Sequence, residues 1–197
     1  MVDQETDKRT DKGIIPPKNQ SLTLYALGAI FLAPLLIGVV LVRNNADRTD
    51  IANQVSRDIA SMYAQGVDFS QAANQSIALR VAEGAGLRLQ GGQGVVILSK
   101  LRVVREGDCA DGPCPNLGRP VVVERFVIGS GELRPSSFGL PNGVDSATGK
   151  VANWATDLSA RAGDAAVSLK TGEFTYAAEC YIASPDNGAG VYTRAMF

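Results

Sequence analysis

The sequence predicts an α+β protein in which an N-terminal transmembrane helix continues into an amphipathic helix, packed on a small antiparallel β-sheet. Three observations predict it. Leu22 to Val42 is an uncharged apolar run of 21 residues. Arg43 to Gln65 contains neither proline nor glycine, and its apolar residues recur at spacings of three and four. From Val95 onward, β-branched runs separated by turn residues replace that periodicity. The expected organisation is a polar tail at 1–20, a membrane helix at 21–43 and an extracytoplasmic domain at 44–197.

The apolar run LTLYALGAIFLAPLLIGVVLV has side-chain polar groups only at Thr23 and Tyr25. At about 1.5 Å per residue it is long enough to cross a hydrocarbon core of roughly 30 Å. Pro34 is compatible with a membrane helix and places a kink in it. Gly28, Ala29 and Ala33 are small enough to let a like helix approach closely. The run is longer than a signal-peptide core, and Arg43-Asn44-Asn45-Ala46-Asp47 after it offers no small-x-small cleavage site. It therefore reads as an uncleaved, single-pass anchor. Lys8, Arg9, Lys12 and Lys18 on one flank slightly outnumber Arg43, Arg48 and Arg57 on the other. That bias puts the N-terminus on the cytoplasmic side and the C-terminal domain in the periplasm or outside the cell.

The tail, Met1 to Gln20, is polar, mixed in charge and broken by Pro16-Pro17. It has nothing with which to build a core. It holds four acidic and four basic residues, so the remainder keeps the net charge of −1. No single-sign field invites nucleic acid or an anionic surface. Histidine is absent from the chain, which removes the commonest general base and the commonest metal ligand.

Beyond the membrane, Ile51, Val55, Ile59, Met62 and Tyr63 form the apolar stripe of the continuing helix, with Gly66 as its stop; alternatively Asn44-Asn45 breaks the helix and Asp47 or Thr49 caps a second one. Asp68 or Ser70 is the expected N-cap of a second helix reaching Glu83 or Gly84, with Phe69, Ala73, Ile77 and Val81 inward. Asn74-Gln75-Ser76 matches a glycosylation acceptor but falls inside that helix. The glycines from Gly84 to Gly94 mark turns around Leu87-Arg88-Leu89, without the spacing or lysine of a phosphate loop.

Val95 to Val104 and Arg119 to Ile128 read as the two arms of a long antiparallel hairpin. In the second arm, Val122, Glu124, Phe126 and Ile128 share one face and Val121, Val123, Arg125 and Val127 the other, so neither face should be wholly buried. Glu132 to Gly149 is expected to be an exposed loop with a turn at Pro141-Asn142-Gly143. Val151 to Ala162 is read as a short helix containing Trp154 and Leu158. Phe174 to Ala183 and Val191 to Phe197 are a third and a fourth strand.

Cys109 and Cys114 lie in the hairpin loop. A disulfide, free thiols and a zinc half-site compete for them. The disulfide is preferred, because it suits an oxidising compartment and the sequence supplies no further zinc ligands. Cys180 reads as a buried small apolar residue. No catalytic constellation, metal site or cofactor signature stands out. Gly129-Ser130-Gly131 lacks the spacing of a nucleophile elbow, Asp108 and Asp111 suit turn geometry, and the tyrosines suit core or sheet-edge positions.

Ala33-Pro34-Leu35-Leu36-Ile37-Gly38 within the apolar run, and Asn53 to Ala60 after it, resemble the corresponding segments of TadE/TadF-like pseudopilins of Tad (Flp) pilus systems. The resemblance covers roughly Ser21 to Gln65 and then continues only as general pilin-like architecture. It implies a membrane-anchored structural or assembly component whose partners are the lipid bilayer and other pilin-like or pilus-assembly membrane proteins. The sequence departs from that family in having no glutamate in the apolar run, where Gly28 takes the expected place. Gly13 is followed by Ile14-Ile15-Pro16-Pro17, which departs from a prepilin-peptidase site.

Overall fold

A computed structural model describes residues 46–89, 91, 93–109, 112–163, 169, 172–184 and 190–197, all within one compact unit, Asn44–Phe197. The predicted tail and membrane run, with Gly28, Ala29, Ala33 and Pro34, lie outside the described residues. Among the described residues, no helix is long and apolar enough to cross a membrane.

The architecture is α+β. Helix α1 occupies 46–64 and helix α2 Ala72–Gly84. Strands β1 (Gly94–Val103), β2 (Pro120–Gly129), β3 (Phe174–Ile182) and β4 (Val191–Met196) form one sheet in the order β2-β1-β3-β4, with every neighbouring pair antiparallel. β1 and β2 make the expected hairpin. The 130–173 segment then carries the chain from β2 back to the other side of β1.

The helical period of α1 appears directly in its burial. Val55, Ile59 and Tyr63 are buried in the main core, and Ile51 and Met62 pack against it. Ala52, Ser56 and Ala60 are buried beside them, which widens the stripe enough for α1 to lie on a sheet face. The sheet answers with Val96, Leu98, Phe126, Ile128, Ala178 and Cys180. Burial of each large aliphatic side chain here contributes roughly 1.5–3 kcal/mol. Tyr63 sits at the centre of an aromatic group. Its ring meets Phe69, Phe126 and Tyr176 edge-on, at centroid distances of 5.8, 6.1 and 5.0 Å.

α2 differs from its expected form in two ways. Its N-cap is Gln71, without a side-chain cap. Asp68 instead accepts from the Ser70 N–H at 2.9 Å, closing the turn before the helix. The inward face is also rotated. Ala78 and Ala82 are buried, whereas Ala73 and Ile77 are exposed. Alanine at the contact brings α2 close to the core, and Phe69 fills the core from the preceding turn rather than from the helix.

In β2 the simple alternation also fails. Lys100 pairs with Glu124 but Leu101 pairs with Val122, so the register shifts by one at Val123. This bulge turns Val122 away from the face of Phe126 and Ile128 and into a second core with Val121, Leu101, Phe138 and Ala177. Arg125 becomes buried as well.

Two loop expectations need correction. The 132–149 loop is not wholly exposed, because Phe138 is fully buried. Gly139, at φ +87, turns the chain directly after it, where an added Cβ would meet the Arg161 carbonyl at 2.7 Å. Val151 to Ala162 is not an α-helix. It consists of turns and a short 3-10 turn, Leu158–Ala160, anchored at each end by isolated bridges, Val151 to Val144 and Arg161 to Val121. Those bridges, with the bridge between Glu124 and Lys150, set this segment beside the open edge of β2.

Candidate interaction surface

The structure joins Cys109 and Cys114 in a disulfide, with Cα atoms 5.7 Å apart. The loop that carries it is fixed at both ends. On the β1 side, Arg102 donates to both carboxylate oxygens of Asp108, at 2.8 and 2.7 Å. Asp108 also accepts from the Arg105 N–H at 2.9 Å, so one carboxylate caps the start of the short turn Glu106–Asp108 and holds the Arg102 side chain. On the β2 side, the buried Asn116 donates to the carbonyls of Trp154 and Asp157 at 2.9 and 2.7 Å. Its own oxygen accepts from Arg161 Nε at 2.8 Å, while Arg161 Nη2 donates to the Pro115 carbonyl at 2.7 Å. The disulfide loop and the 151–162 segment are thus one polar-bonded rim at the end of the hairpin.

Next to that rim the sheet carries a cleft of about 230 Å³. Lys100 Nζ lies 4.3 Å from the centre of the Phe174 ring, and Arg102 Cζ lies 5.0 Å from Trp154 and 5.3 Å from Phe174. Phe174 is 46 % exposed despite its size. Glu124 at the same site accepts from the buried Tyr63 hydroxyl at 2.7 Å. Burial first, and then that hydrogen bond to a carboxylate, push the Tyr63 hydroxyl well above the ordinary tyrosine range. Cationic side chains stacked on aromatic rings beside an open cleft form a surface suited to contacts with an anionic or polar partner.

A second polar group lies on the other side of the sheet. Arg125 donates to Ser99 through Nε and Nη2, to the Gly139 carbonyl through Nη1 and to Ser136 through Nη2. Ser136 donates a short hydrogen bond to Glu179. Glu179 also accepts from the Ser137 N–H at 2.8 Å and the Tyr192 hydroxyl at 2.6 Å. Burial pulls the Arg125 guanidinium down to about 10, against the opposing pull of Glu179. Burial and the bond to Glu179 raise Tyr192. The Ser136 oxygen already accepts from Arg125 and from the Phe138 N–H, so this arrangement fastens the 134–139 loop to the sheet.

Of the residues singled out from sequence, Cys109 and Cys114 are brought together, and Gly28, Ala29, Ala33 and Pro34 lie outside the described residues. Cys180 is buried in the main core, and burial pushes its thiol up to about 12. Arg102, Trp154 and Phe174 were not distinguishable in advance, because 52 residues separate Arg102 from Trp154 and only the chain's path makes them neighbours. Arg125 did carry a signal, as a charge within a valine-rich strand. Among the described residues, no group of three or more His, Cys, Asp or Glu side chains could hold a metal ion. Comparison of the chain with family models, with curated proteins and with solved structures found no match.

Proposed function

We propose that this chain is a membrane-anchored structural or assembly component, a minor pseudopilin of a Tad-like pilus apparatus, that works by helix packing and protein contacts and carries no catalytic activity. One observation supports the reading most directly. α1 seats one face of a four-stranded antiparallel sheet, and its residue 46 follows the last residue of the apolar run by four positions. An element that both organises the domain core and adjoins a 21-residue apolar segment suits a protein whose anchor and domain act together. In this reading the apolar run holds the chain in the bilayer, Gly28, Ala29 and Ala33 admit neighbouring helices, and Pro34 kinks the run. The disulfide suits an extracytoplasmic domain.

Shearing cells and comparing the filament fraction with the membranes tests this. Recovery of the chain with sheared filaments is the expected result for a filament subunit, and recovery in membranes with pilus-assembly proteins for an assembly component. A chain that associates with neither filaments nor such proteins overturns both. A second reading is a single-pass anchored binding or sensing module. The cation and aromatic cleft beside the disulfide rim favours it, and retention of filament assembly in a Trp154→Ala, Phe174→Ala variant that loses a bound partner would support it.

A further inference from the structure

We propose that a second cavity, at the start of α1, is a binding site for the phosphate of an anionic phospholipid headgroup. The cavity holds about 380 Å³, and Arg48, Ile51, Leu87, Arg88, Ile182 and Ser184 are among the residues that line it. Arg48 is held at its edge by a hydrogen bond from Nη2 to the Ala183 carbonyl, at 3.1 Å. That bond uses one of its five N–H donors. Among the described residues, neither Arg48 nor Arg88 has a carboxylate at ion-pair distance, whereas Arg102 and Arg105 both lie at that distance from Asp108. Two arginines in one cavity, with no carboxylate at ion-pair distance among the described residues, suit a phosphate, whose oxygens match the planar fork of a guanidinium. The Ser184 hydroxyl adds a donor to the lining.

The apolar part of the lining selects a lipid over a free ion. Ile51, Leu87 and Ile182 are packed in or against the main core and also face this cavity. Such a wall suits the glycerol and first methylenes of a lipid and offers nothing to inorganic phosphate. Chain length agrees. Arg48 follows Val42 by six positions, and six residues of chain reach about 20 Å at most. The inference therefore rests on the anchored reading of the apolar run.

Full-length protein purified in detergent, titrated with phosphatidylglycerol, phosphatidylcholine or inorganic phosphate and followed by native mass spectrometry, tests the site. The expected result is a one-to-one phosphatidylglycerol adduct, with phosphatidylcholine retained at least about fivefold less. Arg48→Gln with Arg88→Gln should lower that adduct at least about fivefold. Arg57→Gln with Arg80→Gln, which removes the same charge from exposed positions on α1 and α2 away from the cavity, should leave it unchanged. Equal losses in both double variants overturn the site in favour of general charge attraction. Equal retention of both lipids, or competition by inorganic phosphate at equal concentration, overturns the headgroup assignment. Protection of Cys180 from thiol reagent confirms that each variant is folded. Alkaline carbonate extraction of membranes checks the anchor separately: release of the chain there overturns the anchored reading, whatever the lipid titration shows.

Discussion

The two faces of the sheet are covered by different means. On one, α1 and α2 press Val55, Ile59, Ala78 and Ala82 onto Val96, Leu98, Phe126 and Ala178, and the contact is apolar and aromatic. On the other, the long β2–β3 connection covers Leu101, Val122 and Ala177, and buried charge appears at Arg125 and Glu179. The difference follows from the backbone of the covering element. A helix satisfies its own N–H and C=O groups in its interior, so apolar side chains alone can seat it. An irregular loop brings unsatisfied backbone groups toward the core, and these need partners. Arg125 takes the Gly139 carbonyl and Glu179 takes the Ser137 N–H. The two buried charges, joined through Ser136, are thus the means by which a loop, in place of a helix, closes a sheet face.

Breaking that pair should give the largest effect. Glu179→Ala leaves the Arg125 guanidinium buried without the carboxylate that reaches it through Ser136, and leaves the Ser137 N–H without its acceptor, at a cost of about 3 kcal/mol. Denaturant unfolding measures it. Replacing both partners, with Arg125→Met and Glu179→Leu, removes the uncompensated charge but orphans the Gly139 carbonyl and the Ser137 N–H, so it should recover only part of the loss. A single-variant cost near zero would mean that Phe138 and the Arg125 bonds hold the loop without Glu179.

The helix face should respond to volume rather than to charge. Ala82→Leu forces extra methylenes between α2 and the core, at a cost of up to about 3 kcal/mol. Ala73→Leu on the exposed side of the same helix should stay within about 0.5 kcal/mol. The same unfolding experiment compares them, and an equal response from the two sites would contradict the rotated face of α2. On the loop side, Cys109→Ala with Cys114→Ala should cost about 2 kcal/mol by the chain-entropy argument for so short a loop. The bonds of Asn116 and Arg161 should keep the rim in place, so proteolysis there is expected to rise only slightly.

The same contrast explains what the sequence made legible. α1 could be read because Val55, Ile59 and Tyr63 repeat with the helical period and the residues between them are mostly polar. The four strands could be read from β-branched runs with turn residues at their ends. α2 could be located but not oriented, since alanines at 72, 73, 78 and 82 are acceptable on either side and only tertiary contact chooses. The bulge at Val123 was hidden because Val121, Val122 and Val123 are interchangeable in any alternation pattern. The loop face was least legible. Arg125 and Glu179 are 54 positions apart, Phe138 is one aromatic in a polar stretch, and the 151–162 segment keeps helical composition while its bridges to Val121 and Val144 hold it in another form. Local pattern reports on regular elements, whereas partners across a long loop depend on the finished topology.

The smallest effects, and the finest test of the contrast, come from the protons held on the helix face. Tyr63→Phe removes one hydrogen bond to a carboxylate that solvent also reaches, at a cost of about 1 kcal/mol. Alkaline titration separates Cys180 and Tyr63 from Arg125 by sign. Cys180 and Tyr63 both hold their protons more tightly in the folded chain, through burial, with Glu124 adding to the effect at Tyr63. Their contributions are complete below the unfolded values, about 8.5 for cysteine and about 10 for tyrosine, and are lost as pH rises beyond them. Arg125 has the opposite sign, because its folded value falls to about 10 and the unfolded chain keeps the proton longer. Stability against pH should therefore decline first between about 9 and 10, where Cys180 acts before the other two. Cys180→Ala should flatten that interval, and Tyr63→Phe should reduce the decline only above it. A slope unchanged by Cys180→Ala would mean that this thiol meets solvent in the folded chain, and the helix face would then be less tightly closed than the loop face.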